Sequence, residues 1–265
     1  MKIVCLKGGL GNQMFEYCRF RDLMESGHDE VYLFYDHRRL KQHNGLRLSD
    51  CFELELPSCP WGVKLVVWGL KICRAVGVLK RLYDDEKPEA VLIDDYSQHR
   101  RFIPNARRYF FFRQFLAELQ SGFVQMIRAV DYPVSVHVRR GDYLHPSNSS
   151  FGLCGVDYFQ QAIAYVRKKR PDARFFFFSD DMEWVRENLW MEDAVYVEHT
   201  VLLPDYVDLY LMTLCRGHII SNSTFSFWGA YLAVDGNGMK IYPRRWFRDP
   251  TWTSPPIFSE EWVGL

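Results

Sequence analysis

His137, Arg139, Arg140 and Asp142 crowd into the run 134-VSVHVRRGDYL-144, a set of side chains suited to gripping an anion. Arginine is the natural partner for a phosphate, because its planar fork makes two parallel hydrogen bonds. Val134, Val136 and Val138 alternate with Ser135, His137 and Arg139, so the segment reads as a β-strand with one apolar and one polar face. An unpaired buried guanidinium is strongly unfavourable, so Arg139 must meet an anion or water. An ion pair with an aspartate such as Asp142 is the internal alternative. By its position at the end of the strand, Asp142 is also a candidate general base.

Three further segments carry compatible chemistry. In 8-GGLGNQ-13, Gly9 and Gly11 would let a ligand approach the backbone at a helix start, and Asn12 and Gln13 add donors. The loop is not GxGxxG and lacks the Lys-Ser/Thr of a P-loop, so a plain tight turn is the competing reading. In 219-IISNSTFSFWGAYL-232, Ser221, Asn222, Ser223 and Thr224 lead into a helix with Phe225 and Ser226, and hydroxyls there suit phosphate oxygens. In 179-SDD-181, Ser179, Asp180 and Asp181 offer a carboxylate for a ribose or a guanine edge. Helix capping or a divalent metal are the other uses of such a pair.

Alternating elements must position these groups. Strand patterns at 2–7, 31–36, 91–96, 134–139, 174–180, 194–199, 217–222 and 239–243 alternate with helical patterns at 13–27, 61–80, 113–130, 157–170, 181–189, 204–215 and 224–234. This order predicts an α/β fold of two Rossmann-like halves, 1–130 and 131–265, with an insertion at about 37–90. Ligands of such sheets bind beyond the carboxyl ends of the strands, where all four segments fall.

Composition excludes some classes. The chain has 33 basic and 33 acidic residues, so it lacks the charge signature of a nucleic-acid binder. Seven cysteines without a CxxC pair read as scattered thiols of a reducing compartment. The strand-like KIVCLK at the start leaves no signal peptide before it, which makes a cytoplasmic location the expectation. The apolar stretch 61–80 carries four basic residues, too many for a membrane span. A core-packed helix is expected there, with peripheral membrane contact as the alternative.

Taken together, 8-GGLGNQMFEY-17, 137-HVRRGDY-143, 179-SDD-181 and 221-SNSTFSFWGAYL-232 resemble the bacterial α-1,2-fucosyltransferases of glycosyltransferase family 11, in order along nearly the whole chain. That resemblance implies a GT-B-like fold, two Rossmann-like domains facing a cleft, with acceptor binding on the N-terminal side. It implies inverting transfer of fucose from GDP-β-L-fucose to a galactose 2-hydroxyl, with no metal or other cofactor. The acceptor would be a galactose-terminated oligosaccharide or lipid-linked glycan. Arg139 looks like the arginine that neutralises the departing diphosphate, and His137 like a donor-binding residue beside it. Ser221 to Thr224 would bind the diphosphate, Asp180 the nucleoside, and Asn12 would reach the donor across the cleft. The chain departs from the family pattern at Glu16, Cys18 and Phe227, where Gln, Ala and Trp are usual. The region 37–90 carries no transferable acceptor motif.

Overall fold

Apolar runs separated by glycine turns fold the N-terminal segment into parallel βαβ structure. The computed structural model describes residues 1–265 apart from 42–43, 85–86, 120–121, 146–149 and 200–202, and apart from the side chains of residues 39, 117 and 142. Contacts divide the chain into two units, Met1–Arg113 and Gln114–Leu265.

In the first unit β1 (Lys2–Leu6) is followed by α1 (Leu10–Glu25) and β2 (Val31–Tyr35). Two short helices, α2 (His37–Leu40) and α3 (Leu48–Cys51), precede α4 (Trp61–Ala75) and β3 (Leu92–Ile93). The strands form a parallel sheet in the order β2-β1-β3. Helix α1 begins inside the glycine segment, so only Gly8 and Gly9 form a turn. Gly8 sits at φ +68°, and a Cβ there would lie 2.7 Å from the Asn12 amide nitrogen, so the turn requires glycine. Helix α4 packs Val63, Val67 and Leu70 against Ile3, Cys5, Phe34 and Leu92. The expectation of a core-packed helix is therefore met on one face only. Trp61, Leu65, Trp68 and Ile72 remain exposed. Among the described residues no helix is long and apolar enough to cross a membrane.

Glu16 on α1 is fully buried, and its Oε2 accepts the Lys7 backbone N–H at 2.8 Å. Burial pushes its carboxyl well above the ordinary range. A carboxyl that folds neutral loses stability as pH rises through its unfolded value, because the unfolded chain ionises there. Glu16→Gln keeps the acceptor and removes this penalty. It should raise the urea midpoint at pH 8 and leave it nearly unchanged at pH 4.

The second unit opens with α5 (Gln114–Ala117) and α6 (Gly122–Arg128), so the helical pattern at 113–130 forms two short helices that pack with this unit. Then follow β4 (Tyr132–Val138), α7 (Val156–Lys169), β5 (Ala173–Ser179), α8 (Met182–Asn188) and β6 (Val195–Tyr196). After these come α9 (Tyr206–Thr213), β7 (Gly217–Ile219), α10 (Thr224–Tyr231), β8 (Lys240–Tyr242) and β9 (Val263–Gly264). Among the described residues the sheet order is β6-β5-β4-β7-β8-β9, every neighbouring pair parallel. Chain order reverses between β4 and β7, which makes the carboxyl ends of these two strands the topological switch point. Val134, Val136, Val138, Phe175 and Phe177 build the core on one face with Phe159 and Val185. Fully burying each of these side chains contributes about 1.5–3 kcal/mol.

Candidate functional site

Register decides what stands beside Arg139. β4 and β5 pair in parallel up to Val138 opposite Ser179, so the chains leave the sheet side by side as Arg139-Arg140 and Asp180-Asp181. Arg139 Nη1 lies 3.0 Å from Asp180 Oδ2. Asp180 Oδ1 accepts the Arg140 backbone N–H at 2.9 Å. A Cβ at Gly141 would come within 2.9 Å of Asp180 Oδ2, so glycine is what lets the carboxylate approach this turn. Arg139 keeps about a third of its side-chain surface exposed, 34%.

Arg140 is engaged differently. Its Nε donates to Asp181 Oδ2 at 3.1 Å, and its guanidinium stacks 4.0 Å above the Trp184 ring. Asp181 caps α8 by accepting the Trp184 N–H at 3.2 Å. Ser179 Oγ donates to the Val138 carbonyl and accepts the Asp181 N–H, both at 2.9 Å. Ser179, Asp181 and Arg140 thus fix the β4–β5 exit, while Arg139 and Asp180 stand in its opening. Among the described residues Arg139 pairs with Asp180, forty-one residues along the chain. The side chain of Asp142 lies outside the described residues; its backbone opens a short 3-10 turn, Asp142–Leu144.

The polar face of β4 points inward. His137 is 5% exposed and its Nδ1 lies 3.0 Å from Ser221 Oγ. One position pair earlier, Ser135 Oγ lies 2.8 Å from His218 Nδ1. These two pairs stitch β4 to β7 and its exit across the switch point. Burial, then the charge of Arg139, pushes the His137 imidazole down to about 3. Burial, then Lys240, does the same to His218, also to about 3. Both rings are neutral near pH 7. His137 therefore acts on Arg139 by bracing the strand that carries it.

The polar run after β7 divides in the same way. Asn222 is buried, and its Nδ2 donates to the carbonyls of Gly152 at 2.6 Å and Trp246 at 2.7 Å. Ser226 turns its hydroxyl back to the Ser223 carbonyl at 3.1 Å. Ser221, Asn222 and Ser226 thus tie the chain after β7 to its neighbours. Ser223 precedes the first turn of α10 without a side-chain cap hydrogen bond. Thr224 and Phe225 are half-buried, with Phe225 packed 5.8 Å from the His137 ring. They follow the strand next to Arg139 and leave helix N–H groups facing the same end of the sheet.

In the other unit, Gln13 is fully buried. Its Nε2 donates to the carbonyls of Gly8 and Gly45, each at 2.9 Å, and its Oε1 accepts the Arg47 N–H at 3.1 Å. Gly11 is buried within α1 as well. Both residues are engaged in packing at the start of α1, which begins earlier than the sequence pattern indicated. Gly9 caps α1, and Asn12 Oδ1 accepts from Gln98 Nε2 at 2.9 Å.

Sequence reasoning missed Tyr143 and its surroundings. Its hydroxyl donates to the Asn222 carbonyl at 2.9 Å, and its ring stacks 4.8 Å from Phe151 and stands 6.0 Å from the Arg139 guanidinium. Tyr143 also borders a cavity of about 810 Å³ lined by Phe151, Cys154, Tyr158, Arg245 and Arg248. Aromatic faces beside guanidinium groups can stack a planar or sugar ring and fix its polar edge. Cys154 is inert there, because burial pushes its thiol up to about 12. Among the described residues no cluster of three His, Cys, Asp or Glu side chains is placed to hold a metal ion.

Known proteins give this arrangement its class. The profile described as glycosyl transferase family 11 matches residues 105–265, which hold the entire β4–β7 constellation. An Escherichia coli alpha-1,2-colitosyltransferase is 27% identical, the alignment covering 98% of this chain and 97% of that protein. The human galactoside alpha-(1,2)-fucosyltransferase 1 is 32% identical over 54% of this chain and 42% of its own length. The solved alpha-1,6-fucosyltransferase NodZ, soaked with GDP-fucose, superposes with a TM-score of 0.52 at 14% identity, covering 88% of this chain and 92% of its own. The fold is the expected GT-B-like α/β class. The chain belongs to glycosyl transferase family 11 and is a glycosyltransferase.

Proposed function

We propose that this glycosyltransferase moves L-fucose from GDP-β-L-fucose to the 2-hydroxyl of a terminal galactoside, with inversion. The observation that carries the reading is Arg139, held by Asp180 at the end of β4 inside the family-matched region. The acceptor hydroxyl oxygen attacks the sugar C1, its proton passing to Asp142 as base or to the departing diphosphate, while the bond from C1 to the β-phosphate oxygen breaks. Arg139 neutralises the charge that develops on the departing GDP, a charge-assisted contact worth most where water is excluded. The first N–H groups of α10, with Ser223 and Thr224, take a second side of the diphosphate. Asp180 turns toward the nucleoside when phosphate replaces it on Arg139. The acceptor is a galactose-terminated oligosaccharide or lipid-linked glycan.

The likeness to an alpha-1,2-colitosyltransferase supports a second reading, in which colitose is the sugar moved. The clamp grips diphosphate more than sugar, so donor choice is decided elsewhere. A GDP-release assay with GDP-fucose and galactose-terminated acceptors tests the proposal. Release that depends on a galactoside and survives EDTA is the expected result. Activity lost to EDTA and restored by Mg²⁺ or Mn²⁺ would contradict neutralisation of the diphosphate by protein groups alone. Retained GDP binding with no release on any galactoside would leave a phosphate- or glycan-binding module.

A further inference from the structure

We propose that α4 and the segment after it dock in the plane of an anionic lipid surface. The inference stands on the first unit alone and is independent of which sugar the protein transfers. Trp61, Leu65, Trp68, Ile72 and Val76 recur at spacings of three and four, one stripe along the helix. They are 64%, 50%, 48%, 66% and 67% exposed. The core already takes the opposite face through Val63, Val67 and Leu70. Helix α4 is thus apolar on two sides, and only one of them is satisfied by the fold.

The chain beyond the helix extends the same patch. Val78 and Leu79 are both about half exposed, 49% and 51%. Leu79 adopts φ +56°, a left-handed conformation that is unfavourable for a branched side chain. A leucine held in such a conformation with its side chain in water is a poor element of a core and a good anchor for a surface. The Trp61 and Trp68 rings stack edge to face at 5.6 Å, giving a rigid pair of indoles. Indoles of this kind favour the boundary between headgroups and acyl chains.

Charge identifies the surface. Residues 61–82 contain Lys64, Lys71, Arg74, Lys80 and Arg81 and no Asp or Glu. Asp94 approaches Lys71 at 3.9 Å and Arg74 at 3.4 Å, whereas Lys64, Lys80 and Arg81 flank the apolar stripe. An apolar stripe whose charged residues within 61–82 are all cations is complementary to a layer that is apolar inside and anionic outside. The helix is too short and too charged to cross such a layer, so it lies in its plane.

Co-sedimentation of the full chain with phosphatidylcholine vesicles, with and without an equal part of phosphatidylglycerol, tests the proposal. Wild type should partition onto the anionic vesicles and respond to salt. Trp68→Glu with Ile72→Glu changes exposed side chains only, and should cut the partition coefficient by roughly tenfold or more. Lys80→Glu with Arg81→Glu should bring binding down toward the level on neutral vesicles. Far-ultraviolet circular dichroism and a thermal midpoint matching wild type certify the fold of each variant. Unchanged partition of the Trp68→Glu, Ile72→Glu protein overturns the proposal, as does equal binding to neutral and anionic vesicles. A wild-type dimer that these substitutions dissolve, with no vesicle binding, overturns it in favour of a second copy on the stripe.

Discussion

Arg139→Ala should lower kcat by about 10²–10³-fold while leaving the thermal unfolding midpoint within a few degrees of wild type. Arg139 stands at the exit of the sheet, a third of its side chain exposed, and its described ion pair is with a carboxylate that is itself partly exposed. Such surface pairs contribute little to stability, so removing this one costs little folding free energy. The loss should fall on the transition state, where charge gathers on the leaving diphosphate. Substrate binding should weaken less than turnover, because the neighbouring helix start and Asp180 remain. Arg139→Lys should recover only part of the loss, since an ammonium cannot reproduce two parallel hydrogen bonds. Asp142→Asn, compared in the same assay, separates its two roles. A fall in turnover comparable to that of Arg139→Ala would mark Asp142 as the base; near-wild-type turnover would leave it an orienting residue.

Acid should destabilise the second unit from about pH 6.5 downward. His137 and His218 are buried with neutral rings, each pushed from the ordinary 6.5 to about 3. Between those values the unfolded chain binds a proton at each site and the folded chain does not. Their stabilising contribution is fully present above pH 6.5 and is lost as pH falls toward 3. Each histidine contributes a slope of about 1.4 kcal/mol per pH unit in that window. From pH 6.5 to pH 5 the pair should therefore remove roughly 4 kcal/mol. Urea unfolding monitored across that range measures it. A protein carrying His137→Asn and His218→Asn should be weaker at pH 7.5, yet its midpoint should move less on acidification. A wild-type midpoint as insensitive to pH as that of the variant would contradict the buried neutral pairs.

These two predictions draw on different parts of what the sequence discloses. The valine alternation at 134–138 identifies β4, and the near-continuous apolar run at 175–178 identifies its neighbour. Both follow from local periodicity. The pairing of Arg139 with Asp180 does not, because it depends on the register of two parallel strands separated by a helix. The same limit applies to His137. Alternation places it on a polar face, but only the fold supplies Ser221 as its partner and closes that face off from water. Gln13 and Asn222 look like ligand donors in sequence, since an amide is equally fit to bind a phosphate or to tie loops. The carbonyls these amides meet, of nearby Gly8 and of Gly45, Gly152 and Trp246 farther along the chain, are supplied by the fold. Tyr143 and Arg245 meet at the cavity through the loops after β4 and β8, and no short-range pattern links them. Helix α4 shows the reverse case. Its apolar residues are plain in the sequence, yet only the packing of Val63, Val67 and Leu70 reveals which of them lack a partner.

Inverting transfer to the galactose 2-hydroxyl leaves its signature in the linkage of the product. Purified protein incubated with GDP-β-L-fucose and a small panel of galactosides should yield an α-L-fucosyl group on O2 of galactose, read by nuclear magnetic resonance from the anomeric coupling and the cross-linkage contact. A β-fucoside, fucose on any other hydroxyl, or GDP binding without transfer to any galactoside would contradict the account.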